Sequence, residues 1–161
     1  MRIIKDRHIV EDDWQHVEDG TPLPEGKIIV TLSRWKAERD QLVARRNSGL
    51  GIQLASNEHA EDVAEDLENF EVVALHFPVF RDGRAFTTAR LLRDRYGYKG
   101  ELRATGDVLR DQMFFMHRVG FDAFEVRADR SIEDALKAFD DFSVTYQPSA
   151  DEPQPLWRRR G

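Results

Sequence analysis

Cysteine is absent from this 161-residue chain. That excludes disulfides, thiolate nucleophiles, thiol redox chemistry and any zinc or iron–sulfur centre held by thiolates. Long apolar runs are missing as well. Nothing approaches the roughly 20 residues of a membrane helix, and the N-terminal MRIIKDRHIVEDDW has no apolar core of signal-peptide length. A soluble, cytoplasmic protein with no membrane partner is expected. There is no basic excess: 24 Lys and Arg face 30 Asp and Glu, a formal net charge of −6. A dedicated nucleic-acid binder shows the opposite balance, so no nucleic acid is expected. Absent too are a G-x-G-x-x-G after a strand, a Walker A loop, H-E-x-x-H and G-x-S-x-G. His59 and Asp62 share a helical face with no third ligand beside them, so neither metal nor cofactor is expected.

What is present is alternation of strands and helices. Residues 2–5 and 8–11 read as a hairpin about Asp6-Arg7 with Trp14 as its anchor, and residues 19–24 as a loop. Apolar, β-branched runs at 27–32, 51–55, 72–77, 101–105 and 123–126 read as strands. Helices are predicted at 33–46, 57–70, 85–96, 108–119 and from Ser131, whose Ser-Ile-Glu-Asp start resembles a capping box. A last strand is predicted at 144–147. The expectation is α/β: one open, mostly parallel sheet of five to six strands with helices on both faces, plus the short N-terminal hairpin. Residues 1–147 form a single domain, of which 1–24 are hairpin and loop. Residues 148–161, ending Trp157-Arg158-Arg159-Arg160, form a flexible tail whose basic tip suits an acidic surface.

In such a sheet, ligands gather at the carboxyl ends of the strands. The loops Arg81-Asp82-Gly83-Arg84 and Thr105-Gly106-Asp107 belong to that edge. His76 ends an apolar strand where a proton-transfer group is well placed, the competing reading being a packed, hydrogen-bonded histidine. Asp82 and Asp107 are the candidate catalytic carboxylates beside it. Arg84, Arg103, Arg110 and Asp111 are the candidate residues for holding an anion or a partner. Between Arg81 and Gln112 eight basic residues face five acidic ones, locally positive in an acidic chain. Against this, Asp107 also fits as a simple helix cap, and Arg110 with Asp111 as a loop brace. The acidic residues from Glu58 to Glu68 read as a solvated face or as a docking surface for a basic partner. Phe114, Phe115 and Met116 are consecutive on a helix and leave homo-oligomer contact open.

The stretches Phe77-Pro78-Val79-Phe80-Arg81-Asp82-Gly83-Arg84, Gly100-Glu101-Leu102-Arg103-Ala104, Gly106-Asp107-Val108-Leu109-Arg110-Asp111-Gln112 and Gly120-Phe121-Asp122-Ala123-Phe124 resemble a bacterial family, the domain of unknown function 934. The resemblance spans most of residues 25–147. It implies a role in assimilatory sulfite reduction alongside a sulfite or nitrite reductase hemoprotein, as an oxidoreductase or its accessory. Without cysteine or a dinucleotide fingerprint, the residues favour an accessory that docks on the reductase and binds a small oxyanion. The alternative is a small enzyme acting on an anionic substrate with Asp and His acid–base residues.

Overall fold

A computed structural model describes residues 1–78 and 83–145; the tail from 146 and the candidate Asp82 lie outside the described residues. Strands β1 (Arg2–Lys5) and β2 (His8–Glu11) form the expected hairpin. Its turn residues Asp6 and Arg7 both take positive φ, 52° and 67°, the left-handed pair that a two-residue hairpin requires. Then come β3 (Trp14–His16), β4 (Lys27–Thr31), β5 (Leu50–Leu54), β6 (Val72–Phe77), β7 (Glu101–Gly106) and β8 (Ala123–Phe124).

All eight strands join one sheet in the order β2-β1-β8-β7-β6-β5-β4-β3. From β3 to β8 neighbours are parallel; β1 pairs antiparallel with both β8 and β2. The expectation of five to six strands with a separate hairpin is therefore corrected. The hairpin extends the sheet at β8, and Trp14, expected as an anchor, sits within a further strand.

The layer arrangement is corrected as well. Because β3 to β8 follow one another in sequence and in space, crossovers of one hand place every helix on the same face. Helices α1 (Leu32–Ala37), α2 (Arg39–Leu42), α3 (Arg84–Arg90), α4 (Arg110–Arg118) and α5 (Ile132–Thr145) follow the strands in turn. Their buried residues Trp35, Leu42, Ala89, Met113, Met116 and Ala135 share one apolar cluster with Val30, Ile52, Leu75, Leu102 and Phe124 of the sheet. Each fully buried side chain of the larger kinds contributes roughly 1.5–3 kcal/mol. The opposite face looks inward. Its two edge strands, β2 and β3, are joined only by Asp12-Asp13, and three residue steps reach at most about 11 Å. The sheet curls until its edges nearly meet, and its inner face lines a lumen as in an incomplete barrel.

Several local elements depart from the pattern. The helix expected at 33–46 starts at Leu32, capped by Thr31 Oγ1 accepting from the Arg34 N–H at 3.1 Å, and breaks at Glu38. Residues 57–70 form two 3₁₀ segments, Ala60–Asp62 and Ala64–Asn69, and not an α-helix; the apolar spacing of three at Ala60-Val63 and Leu67-Phe70 suits that tighter winding. Asp66 of that acidic stretch is buried, accepting from Arg39 at 2.9 Å and from the Trp35 indole at 3.1 Å. Helix α3 continues as a π turn, Leu91–Arg95. Ser131 Oγ does cap α5, accepting from the Asp134 N–H at 3.1 Å. Val144 and Thr145 belong to that helix and not to a last strand.

Candidate functional site

The inner face divides into levels along the strands. At its base Trp14 packs on Ile29, Val72 and Ala74. Above them lies Arg103, only 1% exposed, with Ala74 and Ala123 as its in-register neighbours on β6 and β8. Those two small side chains leave room for the guanidinium. Its Nε donates to Glu101 at 2.7 Å, Nη1 donates to Asp12 and to Glu125 at 2.9 Å, and Nη2 donates to the second Asp12 oxygen at 3.1 Å. Lys5 Nζ reaches the other Glu101 oxygen at 3.1 Å, and His16 Nε2 lies 2.7 Å from Glu125. Burial alone would lower the arginine's pKa; the hydrogen bonds it donates to Asp12 and the two glutamates outweigh it, and the group is held firmly charged. Burial pushes the Glu125 carboxyl up, but His16 and Arg103 together bring it below the ordinary range. Asp12 lies in the two-residue link between the edge strands, so this network clamps the seam of the curled sheet.

Arg103 was expected on the strand-end edge as a residue for an anion or partner. It lies instead in the lumen, with donors on all three nitrogens engaged by carboxylates.

The carboxyl ends of the strands form the rim. His76, half-buried at the end of β6, stands opposite Thr105 of β7. Its Nδ1 is 3.3 Å from Thr105 Oγ1, which donates to Gln53 Oε1 of β5 at 3.0 Å. Three adjacent parallel strands thus end in one hydrogen-bonded chain. Gly106 follows at φ 84°, and a Cβ there would overlap the Phe77 carbonyl and the His76 ring. Glycine is what lets the β7 turn lie against the imidazole.

The remaining candidates frame this rim. Asp107 is buried and accepts from Arg127 Nη1 at 2.6 Å. It does not cap α4, whose N-cap is Leu109. Arg127 also donates from Nη2 to Asp129 at 2.8 Å. Arg110 opens α4 and donates to Asp134 at 3.1 Å, while Asp111 is exposed in the same first turn. Arg84 is exposed at the start of α3. Of the residues outside the stretch counted along the chain, Arg127 is offset in space by Asp129, and Asp134 reduces the positive balance by pairing with Arg110. Among the described residues no cluster of three metal-ligating side chains occurs, and no helix is long and apolar enough to cross a membrane.

Gln53 was not singled out from the sequence, and Thr105 and Arg127 were placed only in strand-end loops, with no role of their own. Gln53 and Thr105 had a signal: each is the last polar side chain interrupting apolar alternation before its strand ends, as His76 is.

The model of a family described as a bacterial protein of unknown function, DUF934, matches residues 51–157, well over half of the chain, which therefore belongs to that family. No curated protein and no solved structure matches it.

Proposed function

With family membership as the premise, we propose that this chain is an accessory protein of assimilatory sulfite reduction. It presents the carboxyl rim of its sheet to a sulfite or nitrite reductase hemoprotein and to the small oxyanion that the reductase consumes. The observation that supports this reading most is the meeting of Gln53, His76 and Thr105 at the ends of three adjacent parallel strands, where α/β proteins bind ligands. Arg84 and Arg110, each at the first position of a helix beside that chain, supply cations for an oxyanion or a partner carboxylate. The lack of cysteine leaves this chain without thiolates for an iron–sulfur cluster, which supports an accessory role.

A tagged pull-down of the full chain from its own host grown on sulfate, read by mass spectrometry and visible absorbance, tests the proposal. Recovery of a coloured hemoprotein reductase is the expected result. Charge reversal at Arg84 and Arg110 together should abolish that association without unfolding the domain. Association that survives both reversals sinks the docking assignment.

One observation favours a second reading, a small enzyme. A histidine oriented by a neutral Thr–Gln chain is a serviceable acid–base group, with Asp107 near by on the same edge. A turnover found in a substrate screen, lost in His76→Gln at unchanged melting temperature, would move the assignment there.

A further inference from the structure

At the other end of the molecule, where the parallel strands begin, residues 64–70 and 96–100 enclose an open groove of about 480 Å³. Phe70, Tyr96 and Tyr98 give it an aromatic wall, with Glu65 and Glu68 on one lip and Lys99 on the other. The Tyr98 hydroxyl donates to the Phe70 carbonyl at 3.1 Å and closes the floor. Both glutamates are exposed.

Helix α5 points towards this end. It starts at the rim, where Glu133 meets Arg2 and Asp134 meets Arg110. It descends past Phe139, which packs against His117 and lies under the Arg7 guanidinium of the hairpin turn. Thr145 closes it at the same end as the groove. Residues 146–161, outside the described residues, read YQPSADEPQPLWRRRG. Residues 146–156 alone, at about 3.1 Å each in a proline-rich chain, span roughly 34 Å. The groove lies beyond α4, about two helix diameters or roughly 20 Å away. Reach is sufficient, and the chemistry is complementary: a large aromatic side chain near the end of the segment, Trp157, followed by three arginines. The family match also runs to residue 157, so the segment as far as Trp157 is part of the family's shared sequence, and Arg158 to Arg160 follow directly after it.

We propose that this groove is a docking surface for the chain's own C-terminal segment, with Trp157 against the aromatic wall and Arg158 to Arg160 facing Glu65 and Glu68. Lys99 on the far lip sets the direction in which the arginines lie. The contact ties the last residues of the chain to the end of the domain opposite the rim.

The absence of cysteine makes the test clean, because one introduced thiol takes a spin label at one place. The full-length chain is labelled at Glu61→Cys, beside the groove, or at Arg130→Cys, at the rim. The three tryptophan indole N–H signals are then followed by NMR. The Glu61 label should erase the Trp157 signal and the Arg130 label should leave it. Adding Glu65→Lys with Glu68→Lys should restore the signal under the Glu61 label, while the Trp14 signal, and the Trp35 signal once the label is chemically reduced, stay in place and report an intact fold; Trp35, whose indole meets Asp66, lies within reach of the active label. A Trp157 signal untouched by either label overturns the proposal. So does broadening of the Trp157 signal of isotope-labelled, spin-free copies mixed with spin-labelled, isotope-free ones, because a second copy's tail would then be the occupant.

Discussion

Two levels of the same inner face, two residues apart on the same strands, do opposite things. At Ala74 and Arg103 the lumen holds full charges, and every one is paired: Arg103 and Lys5 against Asp12, Glu101 and Glu125, with His16 beside Glu125. At His76 and Thr105 the same strands carry an imidazole, a hydroxyl and, from β5, an amide in a short hydrogen-bonded chain with no carboxylate or guanidinium in it, at an open end. The first arrangement fixes shape, because removing either partner strands a charge. The second leaves half-buried His76 and Gln53 at the strand-end edge, with Thr105 buried between them. Charge density alone therefore points to the level that is closed by its own ion pairs and away from the rim proposed as the working level.

The comparison breaks most readily at Arg103. Arg103→Leu leaves three carboxylates with one fixed cation, and loss of one partner from a buried network costs about 3–5 kcal/mol. Urea unfolding should show that loss; an unchanged midpoint would mean that the network does not clamp the seam. Next comes Gly106→Ala. Its left-handed backbone alone makes any side chain unfavourable by about 1–2 kcal/mol, and the overlap with His76 and the Phe77 carbonyl adds to it. This variant should lose both stability and rim function. Stability retained at the wild-type level would show that the turn relaxes without its glycine.

The third effect is acid sensitivity. The Glu125 carboxyl lies below its ordinary value of 4.5 in the fold. Its contribution is complete above that value and is lost as pH falls through the lowered one. Burial, with Arg7 near by, lowers His117 below 6.5, so the fold favours neutral His117 and loses stability as pH falls below 6.5. Asp122, raised above 3.8 mainly by burial, works in the other direction and gains as acid protonates it. The melting temperature should therefore fall from pH 7 towards pH 4, in two stages. Glu125→Gln should flatten the lower stage and His117→Phe the upper. A melting profile flat across that range contradicts both assignments. The smallest structural effect is expected at His76→Gln, about 1 kcal/mol or less.

These contrasts explain what the chain made legible. The five central strands and the hairpin follow from short apolar β-branched runs and from Asp6-Arg7. The capping of α5 follows from Ser131. Strand order was not legible, because it depends on which edges meet. That one fact decides whether helices lie on one face or two. Arg103 in Glu101-Leu102-Arg103-Ala104 looks like an exposed strand-end cation because its partner Asp12 is 91 residues away and Glu125 is 22 away. His76 was legible because it ends a strand; Gln53 and Thr105 acquire meaning only once β5, β6 and β7 lie side by side. The acidic stretch after Glu58 suggested a continuous face, yet Asp66 is turned inward to Arg39 and Trp35.

The most direct test of the account is capture of the reductase hemoprotein by the full chain, compared among the wild type, His76→Gln and Arg110→Glu at matched melting temperatures. Arg110 forms a partly exposed pair with Asp134, of a kind that contributes up to about 1 kcal/mol, so its reversal should leave the fold standing. The account predicts capture by the wild type and its loss in both rim variants. Capture undiminished in both would place the working surface elsewhere on the molecule.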